Sequence, residues 1–379
     1  MLEPTIKLLC DLVEIDSVNP SLVPGGAGES EIARAIADHL RAARLDAEIM
    51  EVAANRPNVV GVLEGRAPGR SLMFCGHLDT VGVVGMPEPF TPIERDGRLF
   101  GRGAQDMKGG LAAMVAAADV IAQTGGLAAG RLIIAGVIDE EYASLGAEAL
   151  VRSWKADAAV ITEPTDMRVG IGHKGYQWIE IQTGGRAAHG SRPQEGRDAI
   201  LRMGRVLGRL EALDRNLQGG SPHPVLGTPS LHASLIQGGR ELSTYPDTCA
   251  LQMERRTIIG EADDTALAEV KEILAALKRE DNEFEAAARY LFGRQPYQIS
   301  TAHVLPQLLE DAVTRLGRST HRSGMSFWTD AAILGQAGIP TVIFGPGGAG
   351  LHGLDEYVLT EDVIACRDAL VELAHQFCG

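Results

Sequence analysis

The sequence predicts an α/β protein interrupted by a separate α+β domain, on three observations. Between residues 46 and 163, apolar runs of strand length alternate with amphipathic helical stretches, the pattern of a layered α/β sheet. From residue 176 the order becomes strand, helix, strand, strand, helix, strand, which is a ferredoxin-like order. After residue 295 the first pattern resumes, so 1–175 and 295–379 read as one domain and 176–294 as an insertion. A chain of 379 residues suits two or three domains at roughly 150 residues each.

The elements follow in order. Leu8, Leu9, Leu12 and Val13 predict a short amphipathic helix that stops near Pro20. Ile32, Ile36 and Leu40 share one face of a helix over 31–45. Strands follow at 46–52, 58–65 and 71–76, and a helix runs from Gly110 to about Gln123. RLIIAGVID reads as a buried strand, AEALVRSWK as a helix and AAVITE as a strand. In the insertion, YQWIEIQTGG alternates like a half-buried strand and RDAILRMGRVLGRLEAL is helical. LHASLIQGG and DTCALQMERRTI are strands, ALAEVKEILAALKRE a helix and FEAAARYLFGR a strand. A helix at 304–316, the strand PTVIFG and a closing helix at 360–376 complete the chain.

Composition narrows the function. The net charge is −15, with 50 acidic against 35 basic residues and no basic run, which argues against a nucleic-acid partner. No apolar run approaches the ~20 residues of a membrane span, and the N-terminal residues lack the apolar core of a signal peptide. The five scattered cysteines, with no CxxC, read as reduced thiols of a cytoplasmic protein.

Five residues of metal-ligand type stand at or near the ends of apolar runs: His77, Asp106, Glu141, Glu163 and His352. Two imidazoles and three carboxylates suit one or two divalent cations of the zinc type. Parallel strands gather such residues at their carboxyl ends. Singly, each has a plainer explanation. His77 in HLD reads as a structural histidine, Asp106 as a helix cap, Asp139-Glu140-Glu141 as a solvated turn and Glu163-Pro164 as a strand end. Jointly those explanations fail, because five ligand types would have to fall at such places in order. Asp79, two residues after His77, supplies the carboxylate that a ligating imidazole commonly faces. The adjacent Glu140 and Glu141 suit two tasks, proton transfer and metal binding. GPGGAG before His352 matches GxGxxG literally but opens no phosphate-binding helix, so the glycines read as giving close backbone approach to a metal or substrate.

The order His, Asp, Glu-Glu, Glu, inserted domain, His resembles the co-catalytic zinc aminoacylase and carboxypeptidase family, over nearly the whole length. The resemblance implies a zinc-peptidase-like catalytic domain with a mixed sheet flanked by helices, and an inserted lid and dimerisation domain. It implies two Zn2+ per subunit, with Co2+ or Mn2+ as alternatives. His77 and Glu163 would hold one metal, Glu141 and His352 the other, and Asp106 would bridge them. Glu140 would be the general base and acid, and Asp79 would orient His77. The peptide after the bridging Asp is typically cis in such proteins. In GGRAAHGSRPQEGRDAI, His189 matches the histidine that reaches across a homodimer to stabilise the oxyanion, and Arg256 matches the arginine that grips the substrate carboxylate. Two departures concern that grip: LSTY stands before Pro246 where an Asn is usual, and Glu254 replaces an Asp.

The function implied is removal of an N-acyl group, acetyl or succinyl in type, from an amino acid by water. A carboxypeptidase or dipeptidase on the same scaffold is the nearer alternative, with a dipeptide as the small-molecule substrate. A non-catalytic metal-dependent binding protein is the remoter one, and Glu140 argues against it.

Overall fold

Four short, largely apolar strands form the centre of the main sheet because they leave little that is polar to expose. Arg131–Val137, Ser71–His77, Ala158–Ile161 and Thr341–Ile343 lie side by side and parallel, and nearly every residue in them is buried. Parallel strands need cover on both faces, which is why these runs show no polar alternation. The structure, a computed structural model, describes residues 2–379. Two antiparallel strands, Arg56–Glu64 and then Asp46–Ala53, extend the sheet from its Arg131–Val137 side. The sheet is therefore mixed, with helices flanking it.

Helix Gly109–Gln123 buries an Ala-rich, apolar face that allows close approach to the sheet. Gly110 is where it comes nearest: a Cβ there would fall 1.9 Å from the Thr162 carbonyl oxygen. The closing helix, Thr360–Cys378, packs beside it with Leu370, Leu373 and Phe377 buried. The first helix, Pro4–Val13, starts with Pro at its first position and with Glu3 accepting the Ile6 amide hydrogen at 3.1 Å. It ends at Val13, well before Pro20.

The chain divides into two units. The first comprises the chain up to Gly172, Ile299–Ser323 and Thr329–Gly379; the second comprises His173–Gln298 and Gly324–Trp328. The second unit holds strands Gly175–Gly184, Ser230–Gly238, Thr248–Thr257 and Glu285–Arg294, with helices Ala199–Gln218 and Thr265–Glu280. Its strands lie in the spatial order 230–238, 248–257, 175–184, 285–294, all neighbours antiparallel, which is the arrangement of a split βαβ fold. Ile179, Ile181, Met203, Val206, Leu251, Met253 and Val270 fill its own core. Asp198 caps the longer helix by accepting from the Leu201 amide at 2.9 Å.

A third, small sheet has no counterpart in the sequence pattern. It pairs Gly348–Ala349 with Tyr357–Leu359, the latter with Arg98–Phe100, and that strand with Ile93–Arg95. These strands are two or three residues long, too short to show a period.

Phe74 sits fully buried in the middle of strand Ser71–His77. Phe74→Ala should cost about 3–5 kcal/mol through lost burial and a cavity, measured by denaturant unfolding. A loss under ~1 kcal/mol would show that this strand is not at the centre of the core.

Candidate metal centre

Three of the four parallel strands lead, at their carboxyl ends, to one residue of the candidate site. His77 is the last residue of its strand, and Glu163 lies two residues past Ile161. Glu141 follows Val137 through a turn in which Asp139 takes a left-handed φ of 70°. That conformation is costly for a residue with a side chain, and such outliers cluster at functional sites. His352 lies on the loop between Gly348–Ala349 and Tyr357–Leu359. Pairing of Tyr357 with Phe100 in the small sheet sets this loop beside the turn that carries Asp106. In that turn Gly103 has φ 78°, the Asp106–Met107 peptide is cis, and Asp106 is non-helical. Asp106 is thus presented by an irregular turn, and the helix that follows starts at Gly109 without a side-chain cap.

The five residues form two groups that share Asp106. His77 Nε2 stands 3.0 Å from Asp106 Oδ1 and 3.6 Å from Glu163 Oε1. His352 Nε2 stands 3.3 Å from Asp106 Oδ2 and 3.3 Å from Glu141 Oε2. The two oxygens of one carboxylate therefore face two separate donor sets. Within each set the donor atoms lie within 4.8 Å of one another. Imidazole nitrogen and carboxylate oxygen suit zinc, and also manganese or cobalt. Glu141 Oε1 is buried without a hydrogen-bond partner, an arrangement that a cation would satisfy. The residues present fit a pair of divalent metals.

Two carboxylates behind these groups fix the backbone. Asp79, fully buried, accepts from the amides of Glu140 at 3.2 Å and Glu141 at 3.1 Å. Its backbone oxygen, at 2.9 Å, is what His77 Nδ1 meets; its carboxylate stands 3.7 Å from that nitrogen. Glu356 accepts from the amides of Gly103, Gln105 and Asp106 at 3.0–3.1 Å, and from Arg102 at 2.6 Å. Arg102 and Glu356 escape a reading of the sequence because they are 254 positions apart. The one signal is the acidic pair in HGLDEY, close after His352.

The electrostatics follow from crowding carboxylates in a poorly solvated place. Burial raises the Glu140 carboxyl well above the usual range, and the Glu163 charge adds to it. Burial, then the Asp106 charge, raises Glu141. Burial also raises Glu163 well above the usual range, although His77 opposes the shift. For Asp106, burial is outweighed by hydrogen bonds from His352 and His77, which hold it below the ordinary carboxylate range. Burial opposes charge on His77, yet Glu163 and Asp106 raise it well above the usual value. Hydrogen bonds to Asp106 and Glu141 push His352 up to about 10.

His189 and Arg256 belong to the second unit. His189 is exposed and forms an isolated antiparallel bridge with Thr244, its Nδ1 2.8 Å from Ser191 Oγ. Arg256 stacks over the Tyr176 ring at 5.5 Å and donates to Glu254 at 2.6 Å. Glu254 also accepts from the Trp178 indole at 2.8 Å, so the residue in place of the usual Asp pins the arginine. A Cβ on Gly345 would meet the Glu163 carbonyl oxygen at 2.4 Å, so that glycine admits the neighbouring strand end.

The fold and this donor geometry define a metal-dependent hydrolase of amides, and comparison with known proteins agrees. The sequence profile of peptidase family M20/M25/M40 matches residues 73–376, and the chain belongs to that family. It is 30% identical to an acetylornithine deacetylase of Myxococcus xanthus, covering 87% of this chain and 86% of the relative. It is 29% identical to an N-formyl-4-amino-5-aminomethyl-2-methylpyrimidine deformylase of Bacillus subtilis (strain 168), covering 91% and 88%. The fold matches that of a dinuclear metal binding peptidase from Bacillus subtilis with a TM-score of 0.74 at 18% identity, over 98% of this chain and 97% of that one. No helix among the described residues is long and apolar enough to cross a membrane.

A ligating imidazole must be neutral, whereas His352 without metal holds its proton up to about pH 10. Loading a divalent cation at pH 7 should therefore release protons, and apparent affinity should rise with pH up to about that value. Calorimetric titration of the metal-free protein with Zn2+ in two buffers of different ionisation heat measures the release. Equal heats in both buffers would contradict it.

Proposed function

We propose that this chain is a di-zinc amidohydrolase that removes an N-acyl group, acetyl or succinyl in type, from an amino acid. The observation that carries this reading is Asp106 shared between two donor sets with Glu140 beside them, in a chain 30% identical to an acetylornithine deacetylase. His77 and Glu163 would hold one metal, Glu141 and His352 the other, and Asp106 both. Such a pair supplies Lewis acidity for the amide carbonyl and acidifies water. Glu140 takes a proton from the attacking water and delivers it to the leaving amine nitrogen. Its raised proton affinity, from burial and the Glu163 charge, suits a group that must accept a proton. Water is consumed and a carboxylic acid and an amine are formed. Asp79 holds the Glu140 and Glu141 amides and so sets where those side chains start.

The second unit supplies substrate contacts in this reading. Arg256, held by Glu254 and Tyr176, offers a guanidinium to the amino-acid carboxylate. His189 stabilises the oxyanion across a homodimer. A dimer is supported by strand Ser230–Gly238, which lies at an edge of its sheet with Leu235 and Ile236 exposed. The five cysteines are free thiols, in keeping with a cytoplasmic enzyme.

Glu140→Gln should lower kcat by about 10²–10⁴-fold while bound metal, measured by elemental analysis, stays at the wild-type level. Retained turnover would remove Glu140 from the proton transfer. A screen of N-acetyl, N-succinyl and N-formyl amino acids against dipeptides should give the highest kcat/KM on an N-acyl amino acid. Faster cleavage of dipeptides would assign the chain to peptidase chemistry instead.

A further inference from the structure

Behind Asp79 lies a set of buried polar groups that the proposed reaction does not use. Asn19, Glu29, Asp79 and Asp139 are fully buried and Arg56 is nearly so. The Asn19 side-chain amide donates to Asp79 Oδ2 at 2.7 Å and to Asp139 Oδ1 at 3.2 Å. Asn19 Oδ1 accepts from Arg56 Nη2 at 3.2 Å and from the Ser21 amide at 2.8 Å. Arg56 Nη2 also donates to Asp139 at 2.9 Å, Nη1 to Ser21 Oγ at 2.6 Å, and Nε to Glu29 at 2.8 Å. The backbone is tied in as well: the Asn19 amide donates to the Thr80 carbonyl, next to Asp79, at 2.9 Å.

One guanidinium thus faces three buried carboxyl-bearing residues, Glu29, Asp139 and, through Asn19, Asp79. Such a cluster is a poor source of stability, because desolvating the charges consumes most of what their attraction returns. What it does determine is direction. Asp79 receives the Glu140 amide on Oδ1 and the Glu141 amide on Oδ2, and the Asn19 side-chain amide donates to that same Oδ2. Asp139 sits in the left-handed conformation that turns the chain toward Glu140 and Glu141, and Arg56 and Asn19 both bond its side chain. The network therefore ends on the two residues that the reaction needs placed most accurately.

We propose that Asn19 and Arg56 are positioning residues for the Glu140–Glu141 turn. They act through Asp79 and Asp139, and touch neither substrate nor metal. The inference rests on the reading of Glu140 as the proton carrier and Glu141 as a metal ligand. Arg56 acts by its fork of donors as well as by its charge, since no single ammonium reaches Glu29, Asp139, Asn19 and Ser21 together.

The test compares Asn19→Leu, Arg56→Lys and Glu140→Gln with wild type, each purified, loaded with Co2+ and assayed on the N-acetyl amino acid that wild type cleaves best. For Asn19→Leu and Arg56→Lys we expect an unchanged far-ultraviolet circular dichroism spectrum and KM within about threefold. We expect kcat to fall on the order of 10–100-fold, Co2+ affinity to fall on a similar scale, and the visible Co2+ absorption to shift. Arg56→Lys keeps the charge, so a loss there assigns the effect to geometry. Wild-type kcat, Co2+ affinity and Co2+ spectrum in both folded variants would overturn the inference. Should Asn19→Leu fail to fold, Arg56→Lys decides by the same readouts. Turnover retained in Glu140→Gln would instead overturn the functional reading on which the inference rests, so the two failures are distinguishable.

Discussion

Carboxylates repel one another most where water is scarce, and six of them, Asp79, Asp106, Asp139, Glu140, Glu141 and Glu163, meet at the ends of the central strands. Three of the six have their proton affinity raised first by burial and then by their neighbours' charge. Nothing in the aliphatic sheet beneath can relieve that repulsion. The relief comes from elsewhere: two imidazoles, buried guanidinium groups, backbone amides and the cations for which the donor sets are shaped. Much of the molecule's polar architecture answers to this one constraint.

The answer takes the form of two clamps. Asp79 receives the amides of Glu140 and Glu141, and Glu356 receives those of Gly103, Gln105 and Asp106. Each clamp is itself held from behind, Asp79 by a hydrogen bond from Asn19, which in turn accepts from Arg56, and Glu356 by an ion pair with Arg102. The donor residues are therefore not held by their own side-chain contacts alone. A parallel sheet brings the strand ends together, and the clamps set the last degrees of freedom that a sheet leaves open. Rigid support of this kind is what reacting and ligating groups require to stay in productive geometry.

Much of this was legible in the sequence, for physical reasons. Runs such as RLIIAGV and SLMFCGH are apolar because both faces are covered, so their carboxyl ends could be located and His77, Glu141 and Glu163 placed there. The βαββαβ order from Gly175 to Arg294 was visible in its alternation and helical periods. What stayed hidden depends on long-range pairing. The resemblance joined His352 to Asp106, but the small sheet that brings them together has strands too short to show a period. Arg102 with Glu356, and Asn19 with Asp79, pair across 254 and 60 positions and leave no local signature. Gly324–Trp328 joins the second unit although it lies far from the insertion in sequence. The contact between His77 and the Asp79 backbone oxygen, closer than the carboxylate, is a matter of rotamer that composition does not encode.

The central claim is that one carboxylate, Asp106, serves two cations. Anomalous X-ray diffraction from crystals of the Zn2+-loaded protein, collected on either side of the zinc edge, tests it most directly. The account predicts two anomalous peaks, one touching His77 and Glu163, the other Glu141 and His352, and both touching Asp106. A single peak away from Asp106, or peaks on other residues, would contradict it.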